Sequence, residues 1–571
     1  MENKSFNLIT DAWIKVIECK TDQEKTVSLM KLFENAQDYR QLAGEMRIQD
    51  LAILRLLLAI LTTVYTRVDT NGNIYDWLMP DDQETFSFKV DQDEFYDEEG
   101  SQTLLATWHE LYEAGHFTSA VTQYLTQHAD RFDFFGERPF YQVTTDAYDA
   151  LVPKSKNVAA GKGQVLVKQL NRRVSESANT PSIFAPKSGE EKNELPLDEL
   201  IRWVITYQNY TGVTDKTKII TDEKFSNPAG WLYRINPVFV KGQTLFETLM
   251  LNLVLVDFRD AHDETYTLQR PVWEFPTVHA YIEMRKKQLK PDNLAELYTS
   301  WSRILHIEWH DQDTVSIFSA GIPMFETDNA WIEPMTIWRF DKKAGDYRPA
   351  VRGLRSLGIA MWRNFGQYVK VNESDPIHEP GLVLWLRQLK VRRLIARDKP
   401  LLLNSVALLS DGNATSQSPA VEIVDDMQLQ ADVLFDDEIA QNWPAQIENA
   451  VALTQTIGSD YYHFASDIGQ IRNLDVQSFA SGMGAKFYER LNEPFKNWLA
   501  GLNNQAKPDT ETGLWKAQLR AITIQAVQDV LESSSPRDIK GITTDKGILN
   551  IFTAKNHLMH NLRIYLDPQK G

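Results

Sequence analysis

The hydrophobic pattern changes character once along the chain. Up to about residue 430, β-branched and aromatic runs at 13–16, 165–167, 237–240 and 314–318 alternate with helical spacings at 48–65, 197–208 and 245–254. Turn signals separate them, among them Asn227-Pro228-Ala229-Gly230 and Ser410-Asp411-Gly412-Asn413. Beyond about 430 the strand signals fade. Pro444 suits a helix start ahead of apolar Ile447, Ala450, Val451 and Ile457, and a further helix is expected around 485–502. Leu519, Ile522, Ala526 and Val530 form one stripe, and Ile548, Phe552, Met559 and Leu562 a comparable one. The expected fold class is α+β: a large, mixed, irregular N-terminal domain over residues 1–429, then a C-terminal four-helix bundle over 430–571. No internal repeat points to a solenoid.

Composition narrows the class. A chain of 571 residues exceeds the size at which single cores stop growing, and 43% apolar residues suffice for large cores. The greasy segment 51–61 is broken by Arg55 and is too short to span a bilayer, so it reads as a buried helix. The start of the chain lacks the apolar stretch and cleavage site of a signal peptide. A single cysteine, Cys19, excludes an internal disulfide framework and suits a reducing, cytoplasmic setting.

Charge is where the chain departs from its own average. The net charge is −18 and the pI about 5.2, which argues against an autonomous, sequence-independent nucleic-acid binder. Yet residues 154–173 carry six positive charges and no acid, among them Lys162, Lys168, Arg172 and Arg173. Gly161, Gly163 and the run Val165-Leu166-Val167 make this a mobile surface loop with one sticky segment, suited to order on a polyanion. The plain alternative is a solvated basic loop. Two more patches share this character: Arg387, Lys390, Arg392, Arg393 and Arg397, and the run 339–355 with Lys342 and Lys343. On a continuous helix 386, 389, 393 and 397 would share one side, so these cations either pair with acids or contact a phosphate track. Acids cluster as well, at 81–99 and at 425–438.

Catalytic motifs are missing. Gly161-Lys162-Gly163 is not a phosphate loop, because Lys156 stands where the upstream glycine is required and no Ser or Thr follows Lys162. No nucleophile elbow occurs. His109 and His116 are spaced by seven residues, not the four of a zinc-binding helix, and His310-Asp311-Gln312-Asp313 stands alone. No metal, cofactor or catalytic residue is expected.

A set of short motifs runs along nearly the whole chain, from Phe6-Asn7-Leu8-Ile9-Thr10-Asp11-Ala12-Trp13-Ile14 and Val27-Ser28-Leu29, through residues 54–60, Arg138-Pro139-Phe140 and Pro181-Ser182-Ile183-Phe184, to Pro228-Ala229-Gly230-Trp231 and Asn236-Pro237. In their order and spacing the sequence resembles the CasA family, the large subunit of the type I-E CRISPR surveillance complex Cascade. The resemblance implies a non-catalytic, cytoplasmic subunit. Its partners would be Cascade subunits carrying CRISPR RNA, target double-stranded DNA and a nuclease-helicase recruited after target binding, with no membrane. Such a subunit reads the protospacer-adjacent motif from the minor groove and starts strand separation for R-loop formation.

The resemblance also implies sites. The family's guide-proximal loop falls on about 158–183, with Leu166, Val167 and Lys168 at its tip. Its glycine-rich motif-reading loop falls on 225–230, which here has one glycine, so Asn227 and Gly230 are the expected readers. Its strand wedge falls on 411–418, giving Asn413 and Gln417. Its minor-groove lysine falls within about 329–343 at no single assignable position. A metal-dependent nuclease built from scattered carboxylates and a plain scaffold subunit are the alternatives.

Overall fold

The computed structural model describes residues 5–80, 88–95, 97–171, 173, 189–212, 215–222, 224–226, 228–257, 266–310, 314–369, 371, 376–410, 419–436, 442–545 and 547–567. The chain divides into two compact units. One comprises residues 1–355, 376–386 and 404–424, the other 356–375, 387–403 and 425–571. The α+β class holds: the first unit mixes helices with small sheets, and the second is dominated by helices.

The first unit is organised around the helix Arg47–Tyr65. Its sequence is apolar on every side, which fits a helix surrounded by protein. By length and composition it is apolar enough to cross a membrane, yet nearly all of its side chains are buried in the folded chain. The helices Leu197–Tyr210 and Leu294–Thr299 pack on it. Its free N-terminal amides are met from outside the helix, as the Glu422 carboxylate accepts the Ile48 N–H at 2.8 Å. Arg55, the break in the apolar run, is fully buried and paired with fully buried Glu333 at 2.9 Å, its guanidinium 4.0 Å from the centre of the Tyr298 ring. Leaving either charge alone there would cost several kcal/mol, roughly 3–5. Around this core lie small antiparallel sheets. One orders Glu24–Val27, Ile14–Glu18 and Tyr39–Leu42; another orders Gln164–Val165, Val315–Gly321 and Arg303–Trp309.

In the second unit the long helices are Trp443–Arg472, Val476–Gly501, Pro508–Glu532 and Ile551–Leu566. Proline stands in the first turn of two of them, where its missing N–H is harmless. Ile447, Ala450, Val451 and Ile457 are buried as the stripe predicts, and so are Leu519, Ala526 and Val530. The last stripe is out of phase. Ile548 belongs to the hairpin Ile542–Thr544/Gly547–Leu549, and Phe552 is 51% exposed. Asn550 accepts N–H bonds from Phe552 and Thr553, so the helix begins at Ile551; Leu562 is buried as expected, and Ile551, Ala554, Leu558 and Leu566 complete the buried face in place of Ile548 and Phe552. Residues 361–369 contribute buried side chains to this unit, with Trp362 stacked on Phe495 at 4.1 Å. The acidic run after 424 serves it too: Asp425 and Asp426 both pair with Lys496, and Asp436 accepts the Trp443 N–H at 3.0 Å.

Candidate nucleic-acid interface

The strand Val315–Gly321 pairs with Arg303–Trp309 on one side, in a register that sets His306 against Phe318. Its other edge must be filled, since an unpaired edge leaves bare amides and carbonyls. Two sequence-distant segments fill it in succession. Gln164 and Val165 pair antiparallel with Phe318 and Ile317, and the Ser319 N–H donates to the Gly163 carbonyl at 3.0 Å. One step on, the Gly321 N–H donates to the Thr217 carbonyl (2.9 Å) and the Ile219 N–H to the Gly321 carbonyl (3.0 Å), a parallel bridge.

The mobile loop expected over 154–173 is thus corrected in its described part. It comprises two short turns, Lys154–Lys156 and Val158–Ala160, the edge strand, and one helical turn, Val167–Leu170. The reason is alternation. Val165, Val167 and Leu170 are buried, while Leu166 stands 45% exposed between them. Gly161 and Gly163 have φ of 61° and 88°, and a Cβ on Gly163 would come 2.9 Å from the Thr217 hydroxyl, so glycine lets the two segments touch. Lys154 and Lys162 are exposed, and Lys156 and Lys168 half-exposed. Arg172 lies outside the described residues, whereas Arg173 is exposed, its N–H donated to Asn171.

The neighbouring segment is anchored by a residue that sequence reasoning passed over. Arg303 is fully buried; its guanidinium donates to the Asp215, Thr217 and Ser319 carbonyls and to the Ser319 hydroxyl. Five hydrogens fanned in one plane suit a side chain that ties two backbones together. Lys218 bonds the Phe225 carbonyl, with its ammonium 4.9 Å from the centre of that ring, so it is structural. Lys216 and Lys224 are exposed and add cations to this edge, with Asp215 and Asp222 beside them.

Asn227 lies outside the described residues. Gly230 is corrected as an exposed backbone donor. It is buried, its N–H is donated to the Thr211 carbonyl at 2.9 Å, and a Cβ there would fall 2.1 Å from the Asn209 carbonyl oxygen. Its role is close packing on the end of the helix Leu197–Tyr210. Trp231 follows, with its indole N–H on Glu333 at 2.6 Å, so the buried Arg55–Glu333 pair also fixes where this loop leaves the core.

The remaining expected cations differ in how far they are buried. Arg387 donates to the Val369 carbonyl and faces the Phe435 ring, and Lys390, 9% exposed, donates to the Phe435 carbonyl at 2.8 Å. The helix Gly381–Val391 stops before 393 and 397, which corrects the single helical face expected for them. Arg393 adopts a left-handed backbone, φ 60°, which ends the helix, and Arg392, Arg393 and Arg397 are exposed. Lys342 and Lys343 are exposed at the tip of the hairpin Trp338–Asp341/Asp346–Pro349. The Asp341 carboxylate accepts the Lys343 and Ala344 N–H groups, which shapes that tip and holds its pKa below the usual carboxylate range. Asn413 and Gln417 lie outside the described residues. Among the described residues no group of three or more His, Cys, Asp or Glu could hold a metal ion.

The chain belongs to the CRISPR-associated protein Cse1 family, whose model matches residues 7–526. Its fold is that of solved Cse1 structures. Thermobifida fusca Cse1 is similar at 22% identity and TM-score 0.74, covering 98% of this chain and 97% of that one. Thermus thermophilus CasA (Cse1) is similar at 16% identity and TM-score 0.65, covering 98% and 99%. A chain of a CRISPR RNA-guided surveillance complex is similar at 14% identity and TM-score 0.59, covering 98% and 99%. Comparison with curated protein sequences finds no match.

Proposed function

We propose that this protein is a non-catalytic large subunit of an RNA-guided CRISPR surveillance complex of type I-E, working in the cytoplasm. It docks on subunits carrying CRISPR RNA, reads the motif beside the target in duplex DNA, starts strand separation and recruits the nuclease-helicase. Family membership and the likeness to a chain of a surveillance complex support the setting. The observation that supports the DNA-binding part is the shared strand edge, where residues 163–165 of the acid-free segment and residues 217–219 lie in succession. An acidic protein with a few exposed cations on fixed backbone binds DNA where its partners place it and avoids DNA elsewhere.

Within this reading Asn227 discriminates the motif from the minor groove, Gly230 holds the loop in shape, and Asn413 and Gln417 wedge the first base pairs apart. Gln417→Ala should spare docking on duplex but slow opening, by an unstacking contribution of order a few kcal/mol. Asn227→Ala should reduce discrimination between motif-bearing and motif-free duplexes. Targets melted in advance beside the motif separate the two: they should rescue the Gln417 variant and not the Asn227 variant. The reverse pattern, or equal rescue, would sink the assignment. Incubation of the purified chain with DNA and magnesium should give no cleavage; cleavage that His310→Ala abolishes would favour a nuclease.

A further inference from the structure

A cavity of about 290 Å³ in the first unit takes its walls from residues 131–147 and 272–281 and from Trp301. Six aromatic rings line it: Phe140, Tyr141, Trp273, Phe275, Tyr281 and Trp301. They support one another edge to face or tilted, with Phe140 and Tyr141 at 4.7 Å, Phe275 and Tyr281 at 5.2 Å, and Tyr281 and Trp301 at 5.8 Å. Most of their polar atoms are engaged inside the protein. The Trp273 N–H donates to Tyr124, the Tyr141 hydroxyl to the Thr299 carbonyl, and the Tyr281 hydroxyl accepts from Arg285 and the Trp301 backbone. What remains for a ligand is π surface, together with the buried indole N–H of Trp301, which has no partner among the described residues.

The mouth of this cavity has the opposite character. Arg131 and Arg138 both line it. Arg131 is held by Asp130 at 3.0 Å and by the Phe275 carbonyl, while Arg138 is exposed and makes no ion pair among the described residues. Burial, and then the charge of Arg138, lower the pKa of Arg131, so the two guanidinium groups feel one another. The helix Val278–Lys287 begins at the same mouth. Its cap Thr277 satisfies the Ala280 N–H and the next turn, leaving the Val278 and His279 N–H groups without an acceptor inside the helix. Glu137 is the one carboxylate among the lining residues. Tyr141 adds a separate sign of a built site. It holds a left-handed backbone, φ 57°, rare for a bulky aromatic residue and concentrated at ligand clamps.

We propose that this cavity is a nucleotide pocket, with a nucleobase against the aromatic walls and its phosphate at Arg131, Arg138 and the start of the helix Val278–Lys287. Aromatic faces accept any base by stacking, and the paired cations with free amides suit a phosphate rather than a carboxylate alone. The ligand is either a free nucleoside monophosphate or one unstacked nucleotide of a strand. The inference does not rest on the role in target recognition, because it is tested on the free chain.

The experiment is calorimetric titration of the full chain with ribonucleoside 5′-monophosphates, with adenosine, with inorganic phosphate and with a short single-stranded oligonucleotide. Saturable binding of a monophosphate is expected, weakened about tenfold for adenosine and to a similar extent by Arg138→Ala, which removes a charge-assisted contact. Ala147→Trp should abolish binding by filling the cavity, and unchanged thermal midpoints would confirm that both variants fold. Binding of the oligonucleotide but not the monophosphates, abolished in Ala147→Trp, would assign the strand as source. Absence of saturable binding by every nucleotide probe, or binding indifferent to both variants, would overturn the proposal.

Discussion

Glu296 shows how a single side chain can govern pH behaviour here. It is 2% exposed, in the helix Leu294–Thr299, with one carboxylate oxygen lacking a hydrogen-bond partner. Burial pushes its pKa up from the ordinary 4.5 to about 8, against the pull of Arg285. The folded state therefore holds a proton that the unfolded state releases above about 4.5, and stability contributed by that proton falls as pH rises through this window. Glu296→Gln should flatten the pH dependence of urea unfolding and stabilise the protein most above pH 8, by of order a few kcal/mol. A variant with the same slope as the unmodified chain would contradict this. Gly230→Ala should cost about 1–3 kcal/mol, because the backbone of two segments has to move to admit one methyl group. Equilibrium unfolding measures it, and an unchanged midpoint would show that the contact relaxes freely. Arg55 is visible in the sequence as a lone charge in an apolar run, but its partner Glu333 lies 278 positions away, beyond any local pattern.

At the scale of elements, periodicity is the dependable signal. The helix Arg47–Tyr65 and the stripe from Ile447 to Ile457 lie where apolar spacing puts them, because burial on one or all faces leaves a direct mark on sequence. The stripe through Ile548 and Phe552 fails for a local reason, since the Asn550 cap begins a helix one turn later than the apolar residues suggest. The segment 154–170 reads as loop because two glycines and many lysines outweigh three inward-facing residues, Val165, Val167 and Leu170. Pairing with a strand some 150 positions away fixes it, and no short window contains that partner. Alanine at Lys162, Lys168, Arg172 and Arg173 together should weaken DNA binding by the assembled complex about equally across sequences. It should also lower the salt slope by about one for each phosphate that these cations no longer neutralise. Unchanged affinity and slope would return this segment to a solvated surface.

For the whole molecule, family and fold class are legible from motif order along nearly the full chain, whereas the candidate interface is legible only as composition. Charge tells which segments attract phosphate; it does not tell that 163–165 and 217–219 share one strand edge, or that Arg387 and Lys390 are bound to backbone carbonyls. On the proposed function, a protein with net charge −18 would depend on its partners to present local cationic patches to DNA. The most direct test is to reconstitute a CRISPR RNA-guided complex with and without this chain. Its binding to fully paired duplexes that carry or lack the adjacent motif is then compared across salt concentrations. The chain should join the complex and add motif-dependent, salt-sensitive binding that is absent without it. A complex that discriminates the motif equally well without the chain, or a chain that joins and confers no motif dependence, would contradict the account.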